Sequence, residues 1–267
     1  MPYTTSTLRP WCLEMGEGQK LTLILPRMDT EAITTQEWEA TLRPFWKESR
    51  FLILDMPEKL VQENNGPVEF TVRELAVFVH QFLKEQGLQP DLIWGFSLGG
   101  MIAQELSVLP EMEQIPVLLV STNAFADTTL RAVFSSWSLM THAFGEAAFQ
   151  TSLIPWIAQA GQLPILQNPT EVGAGSGDPL ALAKATSSLK AVALHDARER
   201  LSRVKAPMMV LFGAESVLLH EEHAKVFREL VPHAEVLFVE GAGMRIMGDN
   251  PEVAISHVKT FYGARIV

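Results

Sequence analysis

Cysteine is all but absent from these 267 residues. Cys12 stands alone, so no disulfide can form within the chain, and the composition suits a reducing compartment such as the cytoplasm. Long hydrophobic runs are missing too. Stretches such as Ile115 to Val120 are typical, far short of the roughly 18 apolar residues of a membrane span, and no membrane partner is expected. The opening Met1-Pro2-Tyr3-Thr4-Thr5-Ser6 lacks the basic-then-apolar order of a secretory signal. Cations are in the minority, 21 Lys and Arg against 31 Asp and Glu. The net charge of −10 leaves no electrostatic footprint for nucleic acid or anionic lipid. What is abundant is apolar side chain, 47% of residues, enough to fill one large α/β domain or two small ones. No motif implies a cofactor or a metal.

The stretch around which the chain is organised is Leu92-Ile93-Trp94-Gly95-Phe96-Ser97-Leu98-Gly99-Gly100. Leu92 to Trp94 reads as a buried strand, and Met101 to Leu106 as a helix. The pattern G-x-S-x-G therefore falls at a strand-to-helix turn, where glycines allow a sharp bend that projects the Ser97 hydroxyl. A glycine-rich turn with an incidental serine would spell the same letters, but the strand–helix frame argues against it.

Other strands are expected at Trp11–Met15, Leu21–Leu25, Phe51–Asp55 and Pro116–Ser121, with a helix between Glu37 and Trp46 interrupted by Pro44. Thr71-Val72-Arg73-Glu74 has capping-box spacing and opens a helix whose Val72, Leu75, Ala76, Val79 and Leu83 share one face. The alternation of strand and helix predicts a mostly parallel sheet covered on both faces. From Asn123 to about Arg200 it stops. Helical pieces at Thr128–Phe144, Glu146–Gln159 and Leu180–Leu194 replace it, separated by the spacers 161–164 and 171–179. The second spacer is flexible by composition, either a lid hinge or a solvated loop. The large apolar side chains here (Phe125, Phe134, Trp137, Met140, Phe144, Phe149, Trp156) predict a lid core, with a subset lining a ligand pocket. Alternation resumes with Pro207–Phe212, Glu221–Leu230, Val236–Val239 and Pro251–Phe261.

This order of blocks resembles the α/β-hydrolase superfamily over essentially the whole chain. It is most similar to the small esterases, lactonases and C–C hydrolases that carry a helical cap after the sixth strand. The resemblance implies a core of residues 1–122 and 201–267, a cap of residues 123–200, and Ser97 as the catalytic nucleophile. It also implies an acid after the seventh strand and a histidine after the eighth. Here the matching blocks read Phe212-Gly213-Ala214-Glu215-Ser216 and Gly241-Ala242-Gly243-Met244, so Ser216 and Met244 occupy those places. Asp249-Asn250-Pro251 fixes the register, and Leu25-Pro26-Arg27-Met28 replaces the apolar strand followed by His-Gly.

A thioether is only a weak hydrogen-bond acceptor, so Met244 cannot take a proton from Ser97. The Leu98 amide, at a helix start, can still donate to a carbonyl oxygen, with a second donor at Met28 or its neighbour. Ordinary triad hydrolysis does not follow from such a set. The expected function is binding of a small apolar carbonyl compound beside Ser97, with Arg27, Met28, Phe96, Leu98, Trp137, His142, Ser216 and Met244 around it. The expected chemistry is a non-hydrolytic cyclisation, isomerisation or elimination. Two rivals remain: a serine esterase with a rewired base, His142 or His220 being the candidates, and a silent receptor. His80 and His257 suit outer helices, His233 the loop before the eighth strand, and His195 a helix end. Glu215 neighbours the acid position but reads as a surface carboxylate, and Arg27 as either an anion holder or a solvated arginine.

Overall fold

The computed structural model describes residues 11–28, 35–157, 159 and 178–265. Seven strands form one sheet: β1 (Cys12–Gly16), β2 (Lys20–Leu25), β3 (Ser49–Leu54), β4 (Leu92–Phe96), β5 (Val117–Val120), β6 (Met208–Gly213) and β7 (Glu235–Val239). Their spatial order is β1-β3-β2-β4-β5-β6-β7. Only β1 runs antiparallel, against β3; every other pair is parallel. Parallel strands need crossovers, and helices supply them: α1 (Thr35–Leu42), α2 (Met56–Asn64), α3 (Val72–Glu85) and α4 (Leu98–Leu106) before the insertion. After α5 (Thr128–Phe144), α6 (Glu146–Ile157) and α7 (Pro179–Ala193) come α8 (Arg198–Leu201), α9 (Glu221–Leu230), α10 (Ile246–Asp249) and α11 (Pro251–Arg265).

The strands read as continuous apolar runs because both faces are covered. Alternate residues go to opposite layers. Leu23, Leu52, Ile93, Leu119 and Val210 join α3, α4 and α9 in one core, while Ile24, Ile53, Trp94, Leu118 and Met209 join α1 and α11 in the other. Helix α3 shows how local chemistry sets an element. Thr71 Oγ1 accepts from the Glu74 amide at 3.1 Å and the Glu74 carboxylate accepts from the Thr71 amide at 2.7 Å. All of Val72, Leu75, Ala76, Val79 and Leu83 are buried, each of the larger ones worth about 1.5–3 kcal/mol.

Among the described residues five strands precede the inserted helices, with the antiparallel β1 at one edge of the sheet. The helices α5, α6 and α7 leave and return through a neck in which Ala126 N–H donates to the His195 carbonyl (3.0 Å) and Ala197 N–H to that of Ala124 (2.8 Å). Helix α7 is pinned to the core by the buried ammonium of Lys184, 2.6 Å from Asp55 and 3.3 Å from Glu58. Asp55 also caps α2, its carboxylate accepting from the Glu58 amide at 3.0 Å. The spacer 161–164 and residues 171–177 of the second lie outside the described residues. No described helix is long and apolar enough to cross a membrane.

Candidate functional site

Ser97 sits between β4 and α4 with φ 49° and ψ −115°, a backbone conformation that costs a non-glycine residue on the order of 1–3 kcal/mol. Its surroundings hold it there. The Ser97 amide donates to the Val120 carbonyl (3.0 Å), and the Ser97 carbonyl accepts from Thr122 Oγ1 (2.8 Å) and the Met101 amide (3.1 Å). Gly99 donates to the Pro26 carbonyl at 3.1 Å, which ties the loop after β2 to the turn. A Cβ at Gly99 would lie 2.0 Å from the Leu25 oxygen, so this contact requires glycine. Neither Ser97 Oγ nor the Leu98 amide has a hydrogen-bond partner among the described residues. Both are available to a ligand.

Ser97 opens into a cavity of about 420 Å³, within the usual range for small-molecule sites. The strand ends give Phe96 and Val120, the cap gives Phe134 and Trp137, and the loop after β7 gives Met244 and Arg245. The loop after β2 adds Arg27 and Met28. Among the described lining residues there is no histidine, aspartate or glutamate; the charged members are both arginines. Of the residues expected around the ligand, Arg27, Met28, Phe96, Trp137 and Met244 line the same cavity as Ser97. Leu98 contributes its amide only, since its side chain is buried in the core.

Two expectations are corrected. Ser216 does not line the cavity; its Oγ accepts from the amides of Leu218 (3.3 Å) and Leu219 (3.0 Å), and so folds the turn that presents those two leucines to the cavity. His142 is exposed. Leu130, Phe134, Trp137 and Thr141 form the inner face of α5, and one residue further the helix has turned about 100° toward solvent. The same rotation leaves Phe144 72% exposed, outside the lid core it was expected to join, and Met140 at the surface. Phe125 is half-buried beneath the Arg198 guanidinium, 4.0 Å from its ring centre. Trp38, Leu218, Leu219 and Arg245 were missed; adjacency to Met244 was the available signal for Arg245 alone.

No other histidine reaches the cavity among the described residues. His223, buried on α9, accepts the His220 amide at Nδ1 (3.0 Å) and turns Nε2 toward Asp127, 3.5 Å away at the start of α5. Burial lowers its pKa, with Asp127 opposing. His195 lies behind α4 beside Glu105, whose carboxylate is engaged by Arg200 through two hydrogen bonds of 2.6 and 2.5 Å. Burial, reinforced by the Arg200 charge, pushes the His195 pKa down to about 3, so the ring is neutral. Asp249 and Asn250 act as fasteners: Asp249 accepts the Gly243 amide (2.8 Å) and Asn250 Nδ2 donates to the Glu240 carbonyl (2.8 Å). They fix the loop that carries Met244.

The chain is similar to known proteins over most of its length. The family model described as serine aminopeptidase, S33, matches residues 66–247. A relative from Pseudomonas savastanoi pv. phaseolicola, provisionally named carbamate hydrolase RutD, is 20% identical over 220 residues, covering 79% of this chain and 82% of its own. Among solved structures, MGS-M2, an α/β hydrolase enzyme from a Medee basin deep-sea metagenome library, superposes with a TM-score of 0.78 at 19% identity, covering 95% and 94% of the two chains. A thermophilic esterase from Thermogutta terrifontis does so with a TM-score of 0.73 at 15% identity, covering 96% and 93%.

Proposed function

The chain belongs to the serine aminopeptidase S33 family of α/β hydrolases, and we propose that this member binds a small, largely apolar carbonyl compound beside Ser97 and takes it through a non-hydrolytic step. Cyclisation, isomerisation and elimination are the reaction types that suit it. In this reading residues 1–122 and 201–267 form the core and 123–200 the cap. One observation carries the reading: the described wall of the Ser97 cavity holds Met244 and no imidazole or carboxylate.

Serine hydrolysis needs a base within hydrogen-bond reach of the hydroxyl, and the Met244 thioether is not one. In a well-studied protease, loss of the histidine alone costs about 10⁶ in kcat. The remaining equipment favours a different task. The Leu98 amide, with a second donor from the loop at Met28, polarises a bound carbonyl without moving a proton. Phe96, Phe134 and Trp137 restrain the rest of the substrate and exclude water, which converts conformational freedom into a lowered barrier. The neutral Ser97 hydroxyl serves as a further hydrogen-bond donor.

The test is reactivity of Ser97. Fluorophosphonate labelling at neutral pH should be slow, and p-nitrophenyl acetate should turn over little faster in the wild type than in Ser97→Ala. Rapid stoichiometric labelling would replace this reading with a serine esterase whose base comes from outside the described cavity wall.

A further inference from the structure

We infer that the ligand of the Ser97 cavity carries a carboxylate, which Arg245 binds at the rim while the ligand's carbonyl lies against Ser97 and the Leu98 amide. The inference rests on the proposed function and sharpens its ligand class from a carbonyl compound to an oxo acid or acyl acid.

The first observation is the sign of the lining. The chain as a whole carries 31 acidic residues against 21 basic ones, yet the charged residues of the described cavity wall are Arg27 and Arg245, with no acid among them. The second is the state of Arg245. An arginine without an ion pair is ordinary on an open surface, and Arg245 is exposed. This one also contributes to the wall of a mostly apolar cavity, and its guanidinium makes no ion pair or side-chain hydrogen bond with any described residue. An anion is the complement of a cation at the edge of an apolar wall, and a ligand that covers the pair lowers the dielectric around it.

The third observation is how the other polar groups are occupied. Ser121 Oγ donates to the Met244 carbonyl at 2.8 Å, and Asn123 Nδ2 to the Phe125 carbonyl at 2.9 Å. The indole N–H groups of Trp38 and Trp137 in the wall also lack partners among the described residues, but they are neutral single donors, so the charged donor without a partner there is Arg245, set apart from Ser97 and the Leu98 amide. The loops bearing Arg27 and Arg245 follow β2 and β7, which lie on either side of β4 in the sheet. Their fields thus converge from two sides on the space above Ser97. A guanidinium fork matches a carboxylate in two parallel hydrogen bonds.

Titration calorimetry with 7-oxooctanoate and its methyl ester tests the inference, since the two share the ketone and chain and differ in charge. The acid should bind at least about tenfold more tightly than the ester, the equivalent of one charge-assisted hydrogen bond. That preference should fall with added salt and vanish in Arg245→Met, whose circular dichroism and denaturant midpoint should match the wild type as evidence of an intact fold. Arg245→Lys, which keeps the charge without the fork, should retain part of it. Equal binding of acid and ester overturns the inference and leaves the proposed function standing. A preference that survives in Arg245→Met overturns the role of Arg245. Failure of both compounds to bind counts against the inference and the proposed ligand class together.

Discussion

The hydroxyl of Ser121 donates to the carbonyl oxygen of Met244 at 2.8 Å, joining the end of β5 to the loop after β7. Ser121 adopts a positive φ of 50° to do so. With Asp249 holding the Gly243 amide from the other side, the loop has little freedom, and Met244 and Arg245 are presented to the Ser97 cavity by backbone contacts rather than by their own chemistry. That arrangement allows the contents of the position to be exchanged experimentally.

Met244→His combined with Ser216→Asp should raise hydrolysis of a short-chain ester well beyond the product of the two single effects, because triad members act as a unit. The single Met244→His variant lacks the orienting carboxylate, a loss worth about 10⁴ in kcat in a well-studied triad. Ser216→Asp should fold normally, since a carboxylate can accept the Leu218 and Leu219 amides that Ser216 Oγ accepts now. Steady-state rates of the four proteins, each with Ser97→Ala as control, decide it. A double variant no faster than the better single one would refute the equivalence of these loops.

Ser97→Gly should stabilise the protein by about 1 kcal/mol in denaturant titration. Relief of the strained φ of 49° is worth on the order of 1–3 kcal/mol, and the added freedom of glycine in the unfolded chain returns about 0.5–1 kcal/mol of that. Ser97→Ala keeps the strain and should show no such gain. Equal stability of the two variants would mean that the turn is not strained.

Acidification should destabilise the fold in a specific window. His195 titrates near its ordinary pKa of 6.5 when unfolded but at about 3 when folded. Between those values the unfolded chain binds the extra proton, so its contribution is intact above pH 6.5 and is lost as pH falls toward 3. The slope approaches about 1.4 kcal/mol per pH unit for one such group. His223, also lowered by burial, adds in the same direction. Denaturant midpoints across this range should fall less steeply in His195→Gln than in the wild type, and parallel curves would assign the loss elsewhere.

Lys184→Met should cost roughly 3–5 kcal/mol at neutral pH, since it strands the carboxylates of Asp55 and Glu58 beside an apolar chain. Burial works against the ammonium, but the two carboxylates outweigh it and hold its pKa above the usual value. Part of the loss should be recovered in mild acid as those carboxylates protonate. A variant as stable as the wild type would show that α7 is held by its apolar contacts alone.

The sequence by itself determined what is local or periodic. The Thr71–Glu74 box and the five buried positions of α3 follow from capping chemistry and a period of 3.6, and the strand layers from a period of 2. The glycines around Ser97 announced a tight turn because only they admit the Leu25 and Thr122 atoms that press on it. The tertiary structure alone decided which loop side chains face the cavity. A loop has no period, and its direction is set by distant partners. Thus Arg245 was turned in by contacts to Ser121 and Asp249, and Ser216 was turned away by the amides of its own turn. The same holds for Lys184, one polar residue among many on a cap helix, which only the approach of Asp55, 129 residues earlier, made a buried ion.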